Sequence, residues 1–362
     1  MSRGVDKMKT QECLYEDEKF ITKIKKEKNS YIMLILIIIL SISFIFSFAV
    51  GRYGISPVML LKIFFSKLFN LPVTWSSTVE TIIINVRTPR IIAAMLVGAA
   101  LSISGASYQG LFKNPMVSPD ILGASAGAGF GAALGILLSF SVVEIQIMSF
   151  VFGLGAVMLT YSISTFIGRG NNGTLVLVLT GMVIATLFSS FTSMTKYVAD
   201  PYSKLPAITF WLMGSLSSIT ASDVKILMVP ILIGTIPLIL LRWKINVLSF
   251  GEEEAKAMGI DTFRLRMIII FSSTMITAAS VSISGMIGWV GLIIPHIARL
   301  IVGPNYKVLI PASILIGSTY LLLVDNLARS IFSIEIPLGI LTSLIGAPFF
   351  IFLLLKGRRG WI

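Results

Sequence analysis

The 362-residue chain has one cysteine, one histidine and few charges, with Asp, Glu, Lys and Arg together making up 13%. Cys13 stands alone in a polar setting with no apolar run ahead of it, which argues against a disulfide framework and predicts no cleaved secretory leader. His296 has no Cys or carboxylate neighbours, so it cannot form a dedicated metal site, and a packing or hydrogen-bonding role is expected. No Gly-x-x-x-x-Gly-Lys-[Ser/Thr] stretch occurs, so any phosphate cradle must come from another chain. Gly127-Ala128-Gly129-Phe130-Gly131 lacks the preceding strand and the glycine spacing of a dinucleotide loop. Clustered His, Cys, Asp and Glu of a membrane-embedded enzyme are missing too, and the apolar runs hold almost no ionisable groups away from their ends. The net charge of +12 comes from basic residues spread through connections, not gathered with aromatics on one face, which excludes a nucleic-acid surface.

What is abundant is apolar sequence: 55% of residues are hydrophobic and the mean hydropathy is +0.91. That composition predicts an all-α polytopic membrane protein. Residues 1–30 form a basic tail, a transmembrane domain fills 31–356, and 357–362 form a short C-terminal tail. Ten spans are expected, near 31–50, 90–112, 119–139, 145–167, 174–197, 222–242, 266–286, 287–303, 308–328 and 336–355. The even count, with the positive tail inside, puts both termini in the cytoplasm and about two-thirds of the Lys and Arg on that side.

One connection differs from the others. Residues 251–266 pack Glu252, Glu253, Glu254, Lys256, Asp261, Arg264 and Arg266 into a charged island that this topology places in the cytoplasm. The three glutamates suit the first turn of a short helix, Gly259 suits its C-terminal cap, and Ala255 and Ala257 leave part of its surface small. The island reads either as a solvated loop helix or as a docking helix for a cytoplasmic partner.

On the opposite side, Arg87, Arg90 and Arg329 flank re-entry points of the chain. They either snorkel, with Arg329 pairing to Asp325 one turn earlier, or stand exposed as bidentate sites for carboxylates of an external partner. Ser118-Pro119-Asp120 reads as a helix start, followed by Gly123, Gly127, Gly131 and Gly135, a small-residue ridge for close helix packing. Residues 198–221 contain Phe210-Trp211-Leu212-Met213-Gly214, too short to cross and read as a re-entrant half-helix. Ser102-Ile103-Ser104-Gly105 recurs as Ser282-Ile283-Ser284-Gly285, in spans separated by an odd number of crossings, as in an inverted-topology repeat.

Several motifs in order resemble the FecCD-type permeases of binding-protein-dependent ABC importers, which carry iron-siderophore complexes, haem or cobalamin. They are Arg87-Thr88-Pro89-Arg90, Leu96 to Gly105, Asn114-Pro115 with Leu122-Gly123, Gly251-Glu252-Glu253-Glu254-Ala255 with Gly259, Gly291 to Leu300, Asp325 with Arg329, Ile336-Pro337-Leu338-Gly339, and Gly346-Ala347-Pro348. The resemblance implies a type II ABC importer permease fold in a bacterial cytoplasmic membrane. It also implies two ATPase subunits inside that use ATP and Mg, an extracytoplasmic substrate-binding protein or lipoprotein, and a second permease, identical or paralogous. No cofactor is expected on this chain. Glu252, Ala255 and Gly259, with Glu253 beside them, match the coupling helix that seats on the ATPase. Arg87, Arg90 and Arg329 match positions that meet acidic residues of the binding protein, and Asn172, Gly173 and Thr174 fall in the cytoplasmic turn that closes the path. Iron(III)-siderophore is the expected cargo, haem or cobalamin the alternative, and a gradient-driven transporter a further one.

Overall fold

The computed structural model describes residues 27–51, 54, 56–69, 75–168, 173–332 and 334–357, and within them the chain is helical with no strand. The helices are α1 (Glu27–Ala49), α2 (Pro57–Phe69), α3 (Ser77–Thr81), α4 (Thr88–Leu111), α5 (Ala124–Leu137), α6 (Val142–Ile167), α7 (Gly173–Val198) and α8 (Lys204–Leu212). They continue as α9 (Ala221–Leu240), α10 (Arg242–Leu248), α11 (Glu252–Ala257), α12 (Thr262–Ser284), α13 (Val290–Val302), α14 (Tyr306–Ser330) and α15 (Leu338–Gly357). Eight described helices are long and apolar enough to cross a membrane; α5 and α13 are apolar but shorter. The ten expected spans therefore resolve into eight full crossings and two partial ones. The tails expected at 1–30 and 357–362 fall almost wholly outside the described residues.

The expected span at 90–112 is much longer. α3 and α4 are joined through a π-helical stretch, Ile82–Arg87, into one helix Ser77–Leu111. Pro89 explains the widened turn, because it has no N–H to offer and its ring crowds the carbonyl four residues back. The Thr88 hydroxyl donates to the Ile83 carbonyl at 2.7 Å, satisfying one of the backbone groups the wide turn frees.

In the most hydrophobic stretches of α4 and α12, 78% of residues are buried, against 22% in α7 and α15, so the first two form the centre of the bundle and the last two its rim. Small residues allow that centre to close. A methyl group placed on Gly105 would lie 1.8 Å from the Gly291 carbonyl oxygen, and one on Gly98 2.2 Å from the Gly317 carbonyl oxygen. Hydroxyls knit the same helices: Ser104 to Thr277 at 2.9 Å and Tyr108 to Thr274 at 3.0 Å. Each such contact in a bilayer contributes about 0.6 kcal/mol, so their effect is collective. The pairing also shows that α4 and α12 run in opposite directions, since position rises along one as it falls along the other. The two Ser-Ile-Ser-Gly segments thus lie on antiparallel helices with unlike local structure: Gly105 is mid-helix, whereas Gly285 ends α12 at φ 68°.

The start of the third expected span is broken. Pro119–Leu122 form a 3-10 turn that stops at Gly123 with φ 90°, and α5 begins only at Ala124. Gly123 therefore leaves the ridge expected of it: a left-handed conformation that only glycine adopts cheaply makes it a breaker, packed near the Ala185 backbone of α7. Gly127 and Gly131 do lie against α6, where a methyl would meet the Phe152 and Met148 carbonyl oxygens at 2.5 and 2.4 Å, and Gly135 faces Ile145. After α8 the chain turns into the bundle, where Ser215 donates to the Ser284 carbonyl at 2.8 Å and Gly339 to the Met213 carbonyl at 3.0 Å. The short helix α8 thus leads a piece of irregular backbone to the ends of α12 and α15.

Candidate functional site

Polar groups concentrate at the two ends of the bundle. At one end the π turn and Pro89 aim Arg87 and Arg90 toward the last turns of α14 and the end of α1. Arg90 Nε lies 3.0 Å from both carboxylate oxygens of Asp325, its Nη2 donates to Asp325 Oδ1 at 2.9 Å, and its Nη1 donates to Glu335 at 2.9 Å. Arg329 Nε stands 3.7 Å from Asp325, and its Nη2 donates to the Ser47 carbonyl and to Asn326 Oδ1. Asn326 in turn donates to the Ser47 hydroxyl at 2.7 Å, and Arg87 donates to the Phe48 carbonyl. These bonds occupy carbonyls that the C-terminal turn of α1 leaves without helical donors.

Of the two readings open for the arginines, exposed guanidiniums are not seen, because Arg87, Arg90 and Arg329 are all buried at 5–6% exposure, whereas the pairing of Arg329 to Asp325 is present. The reason is a countercharge at full depth: Asp325 is 0% exposed and meets Arg90 and Arg329, and Glu335 adds a second carboxylate beside Arg90. The Asp325–Arg329 spacing made half of this network legible in the sequence. Glu335, the second carboxylate, carried no such signal.

At the opposite end, α11 holds Glu252, Glu253 and Glu254 in its first turn. Its end is closed by Gly259 at φ 75°, whose N–H bonds the Lys256 carbonyl while Ile260 N–H reaches the Ala255 carbonyl, the hydrogen-bond pair of a Schellman cap. Glu253, Glu254 and Gly259 are exposed. Ala255 is fully buried and belongs to the main apolar cluster, so it does not contribute to a small outer surface as expected; it seats the helix on its own bundle.

Glu252 pairs with Arg266, and Arg266 Nη2 also donates to the Thr174 hydroxyl at 3.2 Å. Arg266 therefore joins α11 to the first residues of α7, a link that no sequence spacing signalled. Gly173 and Thr174 line a cavity of about 840 Å³ together with Lys113, Thr165, Glu252 and Arg266. Asn172 lies outside the described residues. Among the described residues no three His, Cys, Asp or Glu side chains converge as metal ligands would.

A multi-pass helical bundle with broken helices inside and a polar cluster at each end has the layout of a transport permease. The description of the FecCD transport family matches residues 38–356, and the chain belongs to that family of ABC importer permeases. It is 42% identical to the molybdate import system permease protein MolB of Haemophilus influenzae, over 87% of this chain and 93% of that protein. It is 40% identical to a "Probable iron chelatin transport system permease protein" of Helicobacter pylori, over 78% of this chain and 85% of that one. Among solved structures, an ABC transporter assigned to the metal-chelate type, in an inward-facing conformation, matches with a TM-score of 0.81 at 40% identity. That match covers 90% of this chain and 99% of the other.

Proposed function

We propose that this chain is the membrane permease of a binding-protein-dependent importer of iron(III)-siderophore chelates, driven by ATP that separate subunits hydrolyse. The observation that carries the reading is α11. Its exposed acidic face, seated through Ala255 and tied through Glu252, Arg266 and Thr174 to the start of α7, is built to pass a push from a docked partner into a spanning helix. On this reading the α11 end is cytoplasmic, both termini lie inside a bacterial cell membrane, and two ATPase subunits using ATP and Mg dock on Glu252, Glu253 and Gly259. Asn172, Gly173 and Thr174 then form the inner gate. A second permease, identical or paralogous, completes the path.

At the outer end, an extracytoplasmic binding protein or lipoprotein docks over Arg87, Arg90 and Arg329. Because these guanidiniums are buried, an incoming carboxylate takes the place of Glu335, itself 32% exposed, on Arg90. The chelate reading is supported by the Helicobacter relative and by the metal-chelate type transporter, while the Haemophilus relative brings molybdate as the second reading.

The test is to extract the tagged chain gently from its membrane, identify what co-purifies, and reconstitute it with its binding protein. ATP hydrolysis stimulated by that protein, with uptake of a ⁵⁵Fe-labelled siderophore in preference to molybdate, haem and cobalamin, is expected. A chain that comes out alone and moves solute on an ion gradient without ATP overturns the proposal.

A further inference from the structure

Asp120 is a carboxylate that neither end of the bundle uses. It sits in the 3-10 turn that precedes α5, so it lies more than the length of that 14-residue helix, about 21 Å, from the outer end of the bundle. Its neighbour Pro119 packs on Gly291, which also touches the Leu101 carbonyl, ten residues or about 15 Å from the inner end of α4. Asp120 is therefore near the middle of the membrane.

There it lines a cavity of about 640 Å³ whose other polar groups are the Ser125, Ser189 and Ser343 hydroxyls and the Met213 and Met286 thioethers. These come from α5, α7, α15, the turn after α8 and the break between α12 and α13. Among the described residues the Asp120 carboxylate takes one hydrogen bond, from Ser125 to Oδ1, and no ion pair neutralises it. A charge at this depth is expensive unless water or a ligand meets it. Bracing the turn needs no charge, because an asparagine oxygen would accept the same bond from Ser125. A carboxylate without an ion pair, facing a cavity whose polar lining comes from separate elements, is how a ligand subsite is built.

We infer that Asp120 is the anionic element of a mid-membrane subsite on the cargo path, one that favours cationic or hydrogen-bond-donating chelates and disfavours a bare oxyanion such as molybdate. The inference rests on the importer reading for the identity of the cargo; the charge selectivity itself does not. It divides the two cargo readings: a tetrahedral oxyanion has only acceptors to offer this carboxylate, whereas a metal chelate can present donors or positive charge.

The lone native cysteine makes a direct test possible. In a full-length C13S background, Ser343→Cys and separately Ser189→Cys are reacted, in the purified complex, with a trimethylammonium-bearing and a sulfonate-bearing methanethiosulfonate of matched size. With Asp120 present the cationic reagent should react faster, and Asp120→Asn should lower the cation-to-anion rate ratio by about tenfold at both positions. Equal ratios in the Asp120 and D120N backgrounds overturn the proposal, as does failure of both reagents to react, which would mean a dry cavity. Binding-protein-stimulated ATP hydrolysis in the C13S parent is measured alongside; its absence counts against the importer reading alone, since the rate ratio judges the subsite without it.

Discussion

Replacing Asp325 with asparagine keeps the shape of the side chain and removes the charge on which the buried arginine network depends. Asp325 is wholly buried, and the Arg90 side chain bonded to it is 7% exposed, so water screens the pair little. Removing one partner of such a pair leaves a buried cation without its counterion, at a cost of about 3–5 kcal/mol. Arg329, 3.7 Å away, loses its carboxylate in the same step. At about 1.4 kcal/mol per decade, the ratio of folded to unfolded chain should drop more than a hundredfold. Glu335→Gln is the matched control: that carboxylate is 32% exposed, and its loss should cost no more than about 1 kcal/mol. The assay is equilibrium unfolding of the detergent-solubilised chain in mixed SDS micelles, followed by fluorescence of its five tryptophans. In a cycle with Arg90→Gln, the double variant should be less destabilised than the sum of the singles, because the Arg90 charge that D325N orphans is gone. A D325N chain within about 1 kcal/mol of the parent, or singles that simply add, would refute the account of these arginines as a neutralised buried network.

Gly105→Ala pushes a methyl into the Gly291 carbonyl, a backbone atom that cannot step aside, so a loss at or above the upper end of the usual 1–3 kcal/mol for overpacking is expected. Size-exclusion yield of folded protein reads it, and parental yield would count against the close crossing of α4 and α13. Arg266→Gln cuts the link from Glu252 to Thr174, so the reconstituted importer should keep hydrolysing ATP while cargo moved per ATP falls several-fold; an unchanged ratio removes Arg266 from the coupling route. Asp200, in the loop between α7 and α8, is held below its ordinary 3.8 by the Ser203 hydroxyl, which donates to it at 2.5 Å. Its bracing of the loop is therefore complete above pH 3.8 and fades as pH falls through the lowered value. Ser203→Ala should move the carboxylate titration, followed by NMR, back upward, and no movement would assign the shift to another cause.

The apolar helices were legible because long apolar runs in lipid have few alternatives to helix, and their order follows from the runs alone, though not which two are too short to cross. Boundaries were less so. The continuous helix from Ser77 could not be read past Arg87 and Pro89, since a proline ordinarily marks a start rather than the site of a π turn. Gly123 was misplaced because four-residue spacing counts glycines without knowing which one carries a positive φ. The choice between buried and exposed arginines stayed open because it depends on Asp325, which is near in sequence only to Arg329, and on Glu335, 245 residues from Arg90. Ala255 illustrates the same limit on a smaller scale: a six-residue helix has an inner side, and composition does not say which residue faces it.

The partial helices α5 and α13 have a consequence for how such a protein changes over generations. Each begins at a break inside the bundle, and the breaks are set by backbone: Gly123 in one case, the Gly285 to Trp289 stretch with its positive φ angles at both ends in the other. An opening held by main-chain geometry survives exchange of the side chains around it. Residues such as Ser125, Ser189 and Ser343 are thus free to drift, and the lining can be rewritten while the scaffold persists. Relatives named for different cargoes can in this way be built on one inherited frame, a single scaffold supplying many diets.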